Sequence, residues 1–198
     1  MQDKEKRLKQ QMQFALEIDK AKNVFRQTHL SGYGRKENVA EHSWHIALMA
    51  YTLKEYSNEE IDVAKVIVMC LLHDVVEIIA GDTYAYDTEN KESQAAREDE
   101  AKEVLFSLLP EDQKQEFIAL FDEFNAEETA EAKFARAMDN IQPIVLNNSN
   151  GGQDWISHKV QKNQVLKRQE ITKAGSKVLY DYAMKIVDEH TERGNLIE

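Results

Sequence analysis

The sequence predicts an all-α protein, a single bundle of about six or seven helices, and three observations carry that expectation. Gly occurs 7 times and Pro 2 times, too few breakers for a chain rich in turns and short strands. Apolar residues recur at helical spacing in most segments. No run of five or more residues alternates apolar and polar as a half-buried strand does. With 198 residues the chain reads as one domain, residues 1–198. A domain of this size buries about 70% of the surface its unfolded chain exposes, so it needs neither disulfide nor structural metal to fold. Cys70 is the single cysteine, which excludes a disulfide framework and a Cys-rich zinc site.

The elements follow in order. Residues 3–27 place Met12, Leu16, Ile18, Val24 and Phe25 among charges and read as an amphipathic helix, and residues 28–37 as a loop with two glycines. A helix starts after Asn38, with Glu41 three residues on at capping-box spacing, and Val39, Ile46, Met49, Ala50 and Leu53 form its apolar face. Asn58 is the expected cap of a helix over 59–80, which Gly81 ends. A polar loop over 82–90 precedes helices over 91–109, 111–125 and 127–147. The sequence NNSNGG at 147–152 is the strongest break in the chain, and a last helix over about 162–193 closes it.

Lys and Arg number 25 against 36 Asp and Glu, a net charge of −11. That charge repels long nucleic acid and anionic membranes but leaves room for a small anion at a local cationic site. The N-terminus is charged where a secretory signal needs an apolar run. The longest apolar stretch, residues 66–80, contains His73, Asp74 and Glu77 and is too short and too polar to span a membrane. The cytoplasm is the expected compartment.

The same stretch carries the chemistry. Its helix is apolar nearly all round and should be buried, and burying a histidine and two carboxylates is costly without compensation. No Lys or Arg lies between Lys65 and Lys91, so the compensating charge comes from elsewhere in the fold or from a metal ion. His42 falls on the apolar face of the helix after Asn38, and Asp139 falls beside Met138 and Ile141 in another amphipathic helix. Two imidazoles and two carboxylates suit one divalent ion such as Mn²⁺, Fe²⁺, Co²⁺, Zn²⁺ or Mg²⁺. On the HD dipeptide alone, a His–Asp pair that cross-links core helices explains the residues as well.

The segments ENVAEHS, LLHDVVEIIAGD and AMDNIQP, in that order, resemble the HD-domain superfamily of metal-dependent phosphohydrolases, and among them the small stand-alone hydrolases that include the 5′-deoxynucleotidases. The resemblance covers roughly residues 20–170, with the C-terminal helix packing on that core. It implies an HD-domain helical bundle in which His42, His73, Asp74 and Asp139 ligate the metal, and in which Glu77 and Asp82 form the acid/base pair. For Asp82, capping the turn after Gly81 is the alternative. In the deoxynucleotidases an arginine followed directly by tryptophan precedes the first ligand helix and helps select the nucleotide. Here Arg26 stands at about that distance as a phosphate clamp, but Gln27 follows it. Salt bridging is the other role open to Arg26.

Other residues read more simply. His45 is core or supporting packing, His29 lies in the loop before the first ligand helix, with reach to the mouth of the site as the lesser alternative, and His190 faces solvent in a charged tail. Cys70 is an inert core thiol, and Trp155 and His158 belong to a lid or a dimer contact. The resulting expectation is phosphomonoester hydrolysis of a small phosphorylated metabolite, with a nucleoside or deoxynucleoside 5′-monophosphate favoured. Two rivals are a metal-binding HD domain that senses a nucleotide without hydrolysing it and a purely structural bundle. A homo-oligomer is compatible with the sequence, which defines no interface.

Overall fold

The computed structural model describes residues 2–86 and 88–198. In chain order these form α1 (Gln2–Ile18), a 3₁₀ turn (Asp19–Asn23), β1 (Phe25–His29), β2 (Lys36–Asn38), α2 (Val39–Leu53), a second 3₁₀ turn (Lys54–Tyr56), α3 (Val63–Leu72), α4 (Glu77–Ala80), α5 (Thr88–Phe106), α6 (Glu111–Ala126), α7 (Ala130–Ser149), α8 (Gln153–Ser157), α9 (Lys162–Gly175) and α10 (Lys177–Glu192). Among the described residues no helix is long and apolar enough to cross a membrane. Among the described residues the fold is all-α apart from one short hairpin, with more and shorter helices than the sequence predicts.

The hairpin corrects the first expectation. The helix stops at Ile18, and β1 pairs antiparallel with β2, Phe25 opposite Asn38 and His29 opposite Lys36. Gly32 and Tyr33 turn the loop between them with φ of 71° and 56°. The strand FRQTH has one exposed residue followed by four half-buried ones, so it carries no apolar alternation by which to be recognised. The hairpin delivers the chain directly into α2. There Asn38 Oδ1 accepts from Glu41 N–H at 2.9 Å while Asn38 N–H donates to Glu41 Oε2 at 3.0 Å, the capping box expected from the spacing.

The helix expected over 59–80 is two helices joined by a tight turn. Asp62, not Asn58, caps its start, accepting from Ala64 N–H at 2.9 Å and Lys65 N–H at 3.3 Å. Asn58 instead ties the α9–α10 junction, donating to the Lys173 and Ala174 carbonyls and accepting from Lys177 N–H. After Leu72 the backbone tightens, with Val75 N–H donating to Leu72 O and Glu77 N–H to Asp74 O. Gly81, at φ 76°, ends α4. The expected long C-terminal helix also breaks, because Gly175 passes so close to α7 that a Cβ would lie 2.3 Å from the Lys133 carbonyl oxygen. Ser176 then restarts the chain as the cap of α10, accepting from Leu179 N–H.

Two apolar clusters result. One gathers α2, α3, α7, α9 and α10 around Ile46, Met69, Phe134, Met138, Ile141 and Val187. The other joins α1, α5 and α6 to the end of α3 through Phe14, Leu72, Val76, Leu105, Phe106 and Phe121. The 73–76 turn bridges the clusters. Trp155 is 1% exposed within the first cluster, which removes it from the surface role expected of it, because α8 folds the NNSNGG segment back onto the core. His190 is also fully buried, contrary to expectation. It packs edge-on to Trp155 with ring centroids 5.1 Å apart, and a Cβ on Gly152 would lie 2.7 Å from its Nδ1.

Candidate functional site

α2, the 73–76 turn and α7 bring His42, His73 and Asp139 together. One nitrogen of each histidine and a carboxylate oxygen of Asp139 all lie within 4.8 Å of one another. His42 Nε2 stands 3.1 Å and His73 Nε2 3.8 Å from Asp139 Oδ1. Asp74 flanks this trio, its Oδ1 3.0 Å from His73 Nε2 and its Oδ2 3.9 Å from His42 Nε2. The tight turn after Leu72 matters here, because it directs His73 and Asp74 to the same side.

The outer nitrogens define which side of each ring carries its proton. His73 Nδ1 sits 2.9 Å from the Cys70 carbonyl oxygen, an acceptor only, so it donates. His42 Nδ1 lies 3.2 Å from Gln142 Oε1, and Gln142 Nε2 donates to Glu37 Oε2 at 2.8 Å, which orients the amide with its oxygen toward His42. In the neutral rings both Nε2 lone pairs then face carboxylates. His73 Nε2 is buried without a hydrogen-bond partner. Lone pairs turned toward anionic oxygens are unfavourable unless a proton or a cation lies between them, and imidazoles anchored through the far nitrogen are the usual arrangement around a bound metal. The donor set therefore fits a divalent ion. Without one, burial opposes the imidazolium at His73, but Asp74 and Asp139 outweigh it and push the pKa up to about 10.

Cations from three elements surround the carboxylates. Arg26, on β1, places Nη1 2.5 Å from Asp74 Oδ2, Nε 3.5 Å from Glu37 Oε1 and Nη2 3.9 Å from Asp139 Oδ1. It is the compensating charge that the apolar stretch lacks locally. Arg136 Nη1 and Arg168 Nη2 lie 3.2 Å and 3.3 Å from Asp139 Oδ2, so Asp139 presents one oxygen to the histidines and the other to two guanidiniums. Burial alone would raise its pKa, but Arg168 and the two histidines hold it well below the usual carboxylate range. Asp74 is lowered likewise, by His73 and Arg26 against burial.

Glu77 and Asp82 line one cavity of about 810 Å³ with His73, Asp74 and Asp139. Glu77 is buried, and its Oε2 has no hydrogen-bond partner. Burial, followed by the Asp74 charge, raises its pKa well above the ordinary value. Burial raises Asp82 too, with Arg26 opposing. Carboxyls shifted in this direction hold a proton at pH values where a surface acid has lost it.

The remaining histidines and Cys70 stand apart from the cluster. His45 Nδ1 lies 3.2 Å from Gln142 Nε2, in a supporting position. His29 belongs to β1, with Nδ1 2.6 Å from Asp154 Oδ1 and its ring stacked on Tyr33. His158 is exposed, with its ring 4.6 Å from that of Tyr84. Cys70 is buried and burial raises its thiol pKa, as expected of an inert core thiol. Sequence reading misses Glu37, Gln142, Arg136 and Arg168. Arg136, three residues before Asp139 on one helix face, carries a signal. Arg168 carries none, since only the packing of α9 on α7 brings it near.

A family model described as HD domain matches residues 18–179. Human 5′-deoxynucleotidase HDDC2 is 33% identical over 111 residues, 56% of this chain and 53% of that protein. A 5′-deoxynucleotidase of Pasteurella multocida is 30% identical over 142 residues, 67% of this chain and 73% of that protein. The chain thus spans about half the length of HDDC2. A solved structure from Magnetospirillum magnetotacticum, described as a predicted metal-dependent phosphohydrolase, superposes with a TM-score of 0.93 at 46% identity over 98% of this chain and 97% of that one. An HD-domain phosphohydrolase from Listeria innocua shares the fold at 19% identity, with a TM-score of 0.57 over 92% of this chain and 85% of that one. The trio of His42, His73 and Asp139 and the match over residues 18–179 agree: the chain belongs to the HD-domain family.

Proposed function

We propose that the protein is a metal-dependent phosphohydrolase, a phosphomonoesterase whose substrate is a nucleoside or deoxynucleoside 5′-monophosphate. The observation that carries this reading is the buried His73 Nε2, unpartnered and facing carboxylates, in a cavity that also holds Glu77 and Asp82. The deoxynucleotidase relatives and the Magnetospirillum protein support the reaction class.

In this reading His42, His73, Asp74 and Asp139 hold one divalent ion, Mn²⁺, Co²⁺, Fe²⁺, Zn²⁺ or Mg²⁺. Such an ion lowers the pKa of bound water and stabilises charge on a phosphoryl oxygen. The chain's own groups do the rest. Arg26 approaches from β1, where it can turn a guanidinium N–H toward a phosphate oxygen once Asp74 and Asp139 have another cation to neutralise them. Glu77 and Asp82 divide the proton transfers: one takes a proton from the attacking water and the other gives one to the leaving oxygen as its P–O bond breaks. The buried Glu77, with its raised pKa, suits the donor's part. The products are a nucleoside and inorganic phosphate.

A panel assay tests the proposal. Purified protein is given Mn²⁺, Co²⁺, Mg²⁺ or Zn²⁺ with a set of mononucleotides, and free phosphate is measured. Release from at least one nucleotide with at least one ion is expected, with none from single- or double-stranded DNA. If no pair of ion and nucleotide releases phosphate, the proposal is wrong, and tight nucleotide binding without turnover would favour a sensor.

A further inference from the structure

The face of the α2–α3 pair that turns away from the core is apolar. α2 directs Val39, His42, Ile46 and Ala50 inward and leaves Trp44, Leu48 and Tyr51 on its other side, at a spacing that stacks them on one stripe. α3 directs Val66, Met69 and Cys70 inward and leaves Ala64, Val68 and Leu71 outside at the same spacing. The five large side chains are between 40% and 61% exposed.

The two stripes lie side by side. α2 and α3 pack on each other, and both pack on α7. His42, near the start of α2, and His73, just past the end of α3, have ring centroids 5.5 Å apart, so the helices run antiparallel. Trp44 and Leu71, each two residues from one of these histidines, stand at one level. Leu48 and Val68 follow one turn on, and Tyr51 and Ala64 one turn beyond that.

This face is also nearly free of charge. From His42 to Leu53 α2 has no Asp, Glu, Lys or Arg, and α3 has only Lys65, whose Nζ lies 2.7 Å from Glu123 Oε1. Thr52 Oγ donates to the Leu48 carbonyl at 2.9 Å, so its proton is already placed. Lys54 Nζ, 4.4 Å from the centroid of the Tyr51 ring, stands at the edge. The chain as a whole carries a net charge of −11, and an uncharged face is where two copies can meet with the least repulsion. With about 150–250 Å² for a large side chain, the five expose together roughly 500 Å² of mostly apolar surface. A standard interface takes about 800 Å² from each partner, of which about 60% is non-polar. The face therefore supplies the apolar area that one copy contributes to a stable dimer.

We propose that this face is the contact between two copies of the chain. α2 and α3 of one copy lie across α2 and α3 of the other about a twofold axis, burying Trp44, Leu48, Tyr51, Val68 and Leu71. A twofold contact uses the same patch on both sides, and an apolar patch is complementary to itself. Among the described residues that line the cavity none belongs to this face, so pairing leaves the site open. It clamps from outside the two helices that carry His42 and lead into His73. The contact goes beyond the phosphohydrolase reading and does not depend on it.

The test is the mass of the full chain in solution. Sedimentation velocity at micromolar concentration should give twice the 22.9 kDa of one chain. Leu48→Glu and Leu71→Glu, which set a carboxylate in the contact, should each give the mass of one chain with unchanged helical circular dichroism. Val178→Glu, at an exposed apolar position on α10, should leave the mass doubled. Acrylamide quenching is a second readout that needs no variant. Trp155 is buried within the chain, so the tryptophan open to quenching in a single copy is Trp44, and the contact should shield it. If the Glu variants do not fold, the mass and the quenching of the wild-type protein decide. A wild-type chain with the mass of one copy overturns the proposal, and so does a dimer in which Trp44 is freely quenched. A dimer whose mass neither folded Glu variant changes overturns it too, because its contact then lies on another face.

Discussion

Arg26 Nη1 lies 2.5 Å from Asp74 Oδ2, an ion pair that spans 48 positions of sequence and joins the β1–β2 hairpin to the turn between the two apolar clusters. Both side chains are largely buried. Removing one partner of such a pair leaves an uncompensated charge and typically costs about 3–5 kcal/mol. Arg26→Met should therefore lower the melting temperature of metal-free protein clearly. Added Mn²⁺ should raise it by more in the variant than in the wild type, because the ion takes over the neutralisation of Asp74 and Asp139. Equal metal-induced shifts in the two proteins would show that guanidinium and ion do not share this role.

Metal content gives a direct check on the ligand set. Elemental analysis should find about one divalent ion per chain. Saturation to about 100 times Kd should stabilise the fold by about 2.7 kcal/mol, as for any ligand bound only by the native state. Asp74→Ala and Asp139→Ala should each lower both the content and the stabilisation. A chain without metal that no added ion stabilises would refute the centre.

Glu77 and Asp82 separate chemistry from binding. Glu77→Gln and Asp82→Asn should keep the fold and the metal while turnover falls about 10²–10⁴-fold, the usual contribution of a positioned acid or base. Nucleotide affinity, followed by calorimetry, should change much less. Near wild-type turnover in both metal-loaded variants would remove both residues from the mechanism.

His190 makes stability depend on pH in a defined direction. Its Nδ1 accepts from Asn195 Nδ2 at 2.9 Å and its Nε2–H donates to Asn148 Oδ1 at 3.2 Å, so the ring is held neutral. Burial first, then Arg193, lowers its pKa from the ordinary 6.5. The unfolded chain then binds the proton at a higher pH than the folded one, and stability falls as pH drops below about 6.5, levelling off once the folded-state pKa is passed. Chemical denaturation between about pH 7.5 and 5.5 should show this slope in the wild type and a shallower one in His190→Gln. Equal slopes would mean that His190 titrates alike in both states.

The all-α class, the Asn38 capping box and the chemical identity of the cluster were legible in the sequence. They depend on local rules: few breakers, helical spacing of apolar residues, and ionisable residues embedded in apolar helices. The strand FRQTH was not legible, because its burial comes from contact with the rest of the fold and leaves no alternation. The His190 reading failed for a related reason. The charges beside it in sequence describe its neighbours along α10, whereas Asn148, Gly152, Trp155 and Asn195 enclose it in space.

By itself the sequence determined which residues are the candidates for chemistry: His42, His73, Asp74, Glu77, Asp82 and Asp139 each stand out against the apolar or turn residues around them. Only the tertiary structure decided how they are neutralised and oriented. Arg26 arrives from β1, Arg168 from α9, and Glu37 with Gln142 turns the His42 ring. The physical reason is that a buried charge is stabilised by whatever partner lies within a few ångströms, and partners 48 positions away, as Arg26 is from Asp74, meet only when helix packing brings them together.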